Sequence, residues 1–228
     1  MTSAGPARNR VTPRGEIVAV AGRGAWLGNR GRLHEGRGAR DIVRHHQSKA
    51  WITCLLEFEG RHAPQWAPNH YTQLFFLDEA VALAAGHRPC AECRRSDYNA
   101  YRQAWSQTNG GTTPYAKDMD TQLHRERTYP AHRMLPWNCL PDGVFVDTDD
   151  GPAVVVGDHF AVWDDKAYTY RHRLPRPAGG SATVLTPLST VEVLRAGYPA
   201  QIDLSGRGGP EVGDGLSSRP EILGRPTH

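Results

Sequence analysis

The 228-residue chain is 39% hydrophobic and 22% charged, with raised glycine and proline at 24 and 17 residues, the composition of a soluble protein able to bury a sizeable core. No apolar run approaches a membrane span and the opening MTSAGPARNR lacks the apolar core of a signal peptide, which points to a cytoplasmic protein with no membrane partner. The net charge of +3 is uneven: residues 1–50 hold ten Lys or Arg against three Asp or Glu, leaving the remainder at −4, an asymmetry that suits a nucleic acid or a solvated arginine-rich segment.

Residues 1–14 read as a disordered basic terminus. EIVAVAG (16–22) and WITCLLEFE (51–59) are strand-like runs joined by a Gly/Arg-rich connection, and LFFL (74–77) is a short buried strand. Asp78 to Gly86 combines an acidic start, strong helix formers and a closing glycine, which specify a short capped helix. Pro89 prevents its continuation. Tyr98, Tyr101 and Trp105 recur at helical spacing over 94–107, and this aromatic stripe reads as core. Residues 117–128 follow a Gly/Pro loop as a further helix.

From Gly143 the pattern changes to GVFVDT, AVVVGD, HFAVW, AYTYRH and ATVLT, short strands separated by turn signals such as Asp149-Asp150-Gly151. A last helix over Ser189–Ala196 opens on the capping-box spacing Ser189-x-x-Glu192. Residues 205–228, rich in Gly, Ser and Pro, read as a disordered tail. These elements specify an α+β chain: a basic terminus (1–14), a small zinc-supported α/β module (15–110), a helical linker region (111–142), and an antiparallel β-sheet or barrel module with its terminal helix (143–204).

There are four cysteines, Cys54, Cys90, Cys93 and Cys139. Without a secretory signal, metal or catalytic use outweighs a disulfide framework. Cys90 and Cys93 form a Cys-x-x-Cys pair that a helix and a proline precede, whereas a thioredoxin-like redox pair needs a strand before it and a helix opening on it. An unmetallated structural pair is the stronger rival.

The stretch FFLDEAVALAAGHRPCAECRR (75–95) resembles the second half of the zinc domain at the N-terminus of the Ada alkylation-repair family. In that family paired aromatics lead to a short Glu/Ala helix and then to Ala-Ala-Gly-aromatic-Arg-Pro-Cys-x-x-Cys. The match covers about a tenth of the chain and implies that Cys90 and Cys93 bind zinc. The family's upstream ligand pair corresponds to His62-Ala63-Pro64-Gln65-Trp66, where Trp66 cannot ligate. Cys54 on the preceding strand is the expected third ligand, and the fourth is open between His34, His62 and Cys139. Because the methyl-accepting cysteine of the family has no counterpart, the resemblance implies a structural zinc.

His124 and Glu126 lie in LHRER (123–127), where a histidine beside arginines suits phosphodiester chemistry as well as it suits a solvated helix face. His45-His46, in the basic front segment, reads as a surface or loop pair. Arg30, Arg32, Arg88, Arg94 and Arg95 are the expected phosphate contacts. The preferred function is a zinc-binding protein associated with nucleic acid, DNA first, of repair or nuclease type. The rivals are a metalloenzyme acting on a small-molecule substrate through an open metal position, and a partner-binding protein with a structural zinc.

Overall fold

The computed structural model describes residues 5–35, 41–60, 65–108, 110–128 and 133–205. Among these residues the fold is α+β, with two six-stranded, mostly antiparallel sheets and four helices. The first sheet comes from the front of the chain: β1 (Arg8–Val11), β2 (Ile17–Ala19), β3 (Trp26–Asn29), β4 (Ile52–Cys54), β5 (Leu74–Phe76) and β6 (Arg88–Pro89), in the order β2-β1-β5-β3-β4-β6. Two departures from the sequence reading stand out. Part of the polar opening forms β1, which pairs antiparallel with β2 and parallel with β5 and buries Val11 fully. The apolar run 51–59 yields only three strand residues, because the chain leaves the sheet after Cys54 and exposes Leu55 and Leu56. β3, inside the Gly/Arg-rich connection, depends on Gly28: a Cβ there would lie 2.3 Å from Phe76 Cε2, so only glycine permits the approach.

The helix expected after Asp78 is α1 (Glu79–Ala84). Asp78 caps it, Oδ1 accepting from Val81 N at 2.9 Å, and all six helical residues are buried. Gly86 then takes φ +79°, the left-handed conformation that ends the helix. α2 (Arg95–Thr108) buries Tyr98, Tyr101 and Trp105, the core stripe its spacing specifies. α3 (Ala116–Thr128) buries Met119, Asp120 and Leu123. In α4 (Leu188–Arg195) the expected capping box does not form. Pro187 occupies the N-cap, and Ser189 N and Oγ both donate to Glu126 Oε2 on α3, at 3.1 and 2.8 Å.

The second sheet comprises β7 (Arg133–Pro136), β8 (Phe145–Thr148), β9 (Gly151–Val156), β10 (His159–Asp164), β11 (Thr169–Pro175) and β12 (Ser181–Val184), ordered β11-β10-β9-β8-β12-β7. It is an open sheet rather than a barrel. The two sheets are interlocked. One core cluster joins Leu83, Tyr101 and Trp105 to Val144, Val155 and Val191, and the other joins Val11, Phe76 and Val81 to Phe145, Val154 and Trp163. Tyr168, in the turn just before β11, accepts from Val11 N at 3.2 Å and sits 2.7 Å from Phe75 O. The segment after α4 closes over α1, with Tyr198 Oη donating to Glu79 Oε1 at 2.6 Å and Asp203 N to Asp78 Oδ2 at 2.9 Å. No helix among the described residues is long and apolar enough to cross a membrane.

Candidate metal centre and basic cleft

The parallel pairing of β4 with β6 sets Ile52 against Arg88 and Thr53 against Pro89, and Cys90 N donates to Thr53 O at 2.9 Å. That register brings Cys54 beside Cys90, and the turn that follows returns Cys93 to both. The three sulfurs lie within 4.8 Å of one another. A tetrahedral ion with metal–sulfur bonds of about 2.3 Å needs sulfur–sulfur separations of about 3.8 Å, so small adjustments suffice to hold one. Glu92 N donates to Cys90 Sγ at 3.4 Å, and Leu55 N–H faces Cys93. Such donors favour thiolates. A hydrogen bond from Cys54 brings the Cys90 thiol down to about 5 against the opposing effect of burial. The same bond, with burial, pushes Cys54 up. This donor set fits a thiophilic metal ion.

Neither described candidate for the fourth ligand joins the cluster. His34 is buried elsewhere, Nδ1 2.6 Å from Thr72 Oγ1 and Nε2 3.2 Å from Ala67 O, so both ring nitrogens are engaged. Cys139 is exposed on the short 3₁₀ turn Trp137–Cys139. His62 lies outside the described residues. Half-buried Tyr71 is a neighbour of the sulfurs that the sequence reading missed: burial, then the charges of Cys54, Cys93 and Cys90, push its phenol up.

The arginines expected at phosphates divide sharply by burial. Arg88 makes a two-pronged pair with Asp120, both N–O distances 2.8 Å. Arg94 donates to Glu79 at 2.6 Å, to Asp97 at 2.8 Å and to Thr53 Oγ1 at 2.9 Å, and stacks 3.9 Å from the Trp26 ring. Both are 4% exposed, so they fasten α1, α2 and α3 to the first sheet rather than facing solvent. Arg95 is exposed at the start of α2, and half-buried Arg32 donates to Asn69 Oδ1 at 3.0 Å.

Arg30, 1% exposed, lines the floor of a cleft of about 740 Å³ between the end of α3, the start of α4 and the turn after β1. Arg14, Arg125, Arg127 and Arg133 line it too, with His45 and His46; Glu126 is the only acidic lining residue among those described. The guanidinium carbons of Arg30 and Arg127 each lie 3.9 Å from the Trp51 ring centroid. Burial and then repulsion by Arg127 bring Arg30 down to about 9, and burial brings Arg127 down to about 10.

Beside the cleft the rings of His46 and His124 meet edge to face at 5.1 Å. Burial first, then the Arg127 charge, lowers both imidazoles. Glu126, by contrast, spends its carboxylate on structure: besides Ser189 it accepts from Gln122 Nε2 at 2.5 Å. The sequence reading missed Trp51, His46 and Arg127 as parts of one site. Their one available signal was the shared density of Arg and His in two segments some 80 residues apart. Comparison with protein-family models, with curated proteins and with solved structures gives no match.

Proposed function

We propose that this chain binds zinc through Cys54, Cys90 and Cys93 as a structural staple and binds nucleic acid, DNA first, along the basic cleft. The observation that carries the reading is the lining of that cleft: five arginines and two histidines face a single carboxylate. Such a surface attracts a polyanion. The resemblance of residues 75–95 to the Ada zinc domain supports the metal's identity, and the soft donor set agrees with it. In the repair or nuclease form of the reading, His46 or His124, whose lowered pKa favours the neutral imidazole, accepts a proton from the water whose oxygen bonds to phosphorus, while the P–O bond to the leaving strand breaks and its oxygen takes a proton from solvent. Glu126 supports the start of α4.

Fluorescence anisotropy with a labelled duplex tests the reading. Arg14 is already paired with Asp147 at 2.6 Å and Arg30 is buried, which leaves Arg125, Arg127 and Arg133. If they neutralise about three phosphates, affinity falls roughly 40-fold between about 50 and 200 mM salt. The double substitution Arg125→Glu/Arg133→Glu lowers affinity and flattens that slope. No binding at low salt, or affinity indifferent to salt, contradicts the proposal.

A further inference from the structure

Arg30 is an anomaly as a purely structural residue. Its side chain is almost completely buried, and among the described residues no carboxylate pairs with it. Nη1 donates to Gly15 O at 3.0 Å and Nε to His87 Nε2 at 3.2 Å, both neutral acceptors. Nη2 is buried with no hydrogen-bond partner among the described residues. Asp120, whose charge is felt at Arg127, is committed to Arg88. Arg88 and Arg94 show how this fold handles a buried guanidinium: each has its own carboxylate. Burying an uncompensated charge is among the costliest arrangements a fold can hold, and here a second cation is added to it. Arg127 shares the Trp51 ring with Arg30, and its Nε is likewise buried without a partner among the described residues.

Two glycines border this arrangement. Gly15 takes the left-handed φ +81° that favours glycine, and a Cβ there would lie 3.8 Å from Arg30 Nη2, an ordinary contact. Gly86, at φ +79°, would place a Cβ 3.0 Å from Arg127 Cδ, and Arg127 Nη1 donates to Gly86 O at 3.0 Å. The glycine that ends α1 ahead of the Cys-x-x-Cys pair therefore also seats the second arginine. Both guanidiniums are held in place before any ligand arrives, so little ordering cost remains on binding.

We infer that the floor of the cleft is a binding site for a phosphate monoester group, held by Arg30 and Arg127 beside Trp51. A dianion matches two guanidinium charges that no carboxylate pairs with among the described residues, and its several acceptor oxygens suit charge-assisted bonds to the guanidinium groups that line the cleft. His46, 5.8 Å from Trp51 in ring-centroid distance, stands at the same place and adds a further donor. The inference deepens the nucleic-acid reading, in which the group is a strand's terminal phosphate. The same chemistry serves a small phosphate ester.

The test uses the full chain and inorganic phosphate. Calorimetric titration, with sodium chloride at matched ionic strength as the blank, is expected to give one site. The buried Arg30 Nε–H resonance in nitrogen-resolved NMR is expected to shift on phosphate addition. Arg30→Gln should weaken phosphate binding roughly 10- to 100-fold, the range for losing a charge-assisted hydrogen bond. If that variant does not fold, the resonance shift in the parent chain decides.

Competition by one oligonucleotide carrying either a 5′-phosphate or a 5′-hydroxyl then separates the sources. Preference for the phosphorylated end supports the site and the nucleic-acid reading together. Phosphate binding without competition by either oligonucleotide supports the site on a small ester and removes the nucleic-acid reading. Absence of phosphate-specific heat and of any Arg30 shift overturns the inference even if DNA binds elsewhere, as does full phosphate affinity in a folded Arg30→Gln chain.

Discussion

Replacing Arg94 by Met should cost the fold heavily, although the residue sits among arginines whose sequence context suggests a surface role. The side chains of Arg94 and Glu79 are 2% and 3% exposed, with Nη2 2.6 Å from Oε1. Removing the guanidinium leaves Glu79 buried with, among the described residues, only Tyr198 Oη and Gln201 N as donors. Stranding one member of such a pair costs about 3–5 kcal/mol. In a chain of this length 1 kcal/mol moves the melting temperature by about 2–4 °C, so a fall of roughly 6–20 °C is expected. Thermal unfolding followed by circular dichroism, with metal saturating, measures it. Exposed Arg95→Glu is the control and should stay within about 0.5 kcal/mol of the parent. Adding Glu79→Gln to Arg94→Met should recover part of the loss, because the stranded charge is then gone. A fall below about 1 kcal/mol for Arg94→Met, or an equal fall for Arg95→Glu, refutes the reasoning.

Further outcomes follow from the other buried groups. Burial first, and then repulsion by Arg30 and Arg127, holds His87 neutral with its pKa well below 6.5. The unfolded chain therefore binds more protons between that lowered value and 6.5. Stability rises with pH through this window and is lost as pH falls, at up to about 1.4 kcal/mol per pH unit. Urea unfolding at several pH values should show this slope, and His87→Gln should reduce it; an unaltered slope contradicts the assignment. Glu126→Ala should destabilise by about 1–2 kcal/mol through loss of the α4 cap, whereas a purely catalytic Glu126 predicts unchanged melting. Cys54→Ser should lower metal affinity by about tenfold or more in competition with a chromogenic chelator. Cys139→Ser should leave it unchanged, and equal affinities in all three chains would remove Cys54 from the centre.

Much of the fold could be read from local pattern. The α1 helix with its Asp78 cap and Gly86 stop, the aromatic stripe of α2 and the hairpins after Gly143 follow periodicities and turn residues that act over a few positions. The Cys-x-x-Cys pair and its partner Cys54 were legible for a related reason: a Cys-x-x-Cys spacing with a further cysteine on a neighbouring strand has few uses. What escaped depended on distant partners. Arg88 is neutralised by Asp120 32 residues away, and Arg94 by Glu79 across a strand and a turn, so composition alone made both look like surface charge. The local capping signal at Ser189 lost to Glu126, 63 residues upstream. The strand at Arg8–Val11 was hidden because its outward residues are polar, while its place is fixed by Tyr168, 157 residues later.

Elemental analysis of the purified chain beside Cys90→Ser tests whether Cys54, Cys90 and Cys93 form one metal centre that supports the fold around which the cleft is built. About one equivalent of zinc in the parent is expected, lost in Cys90→Ser together with a marked fall in melting temperature, since metal-binding energy is folding energy in such sites. A metal-free parent whose melting is unaffected by added zinc and matches that of Cys90→Ser would contradict it.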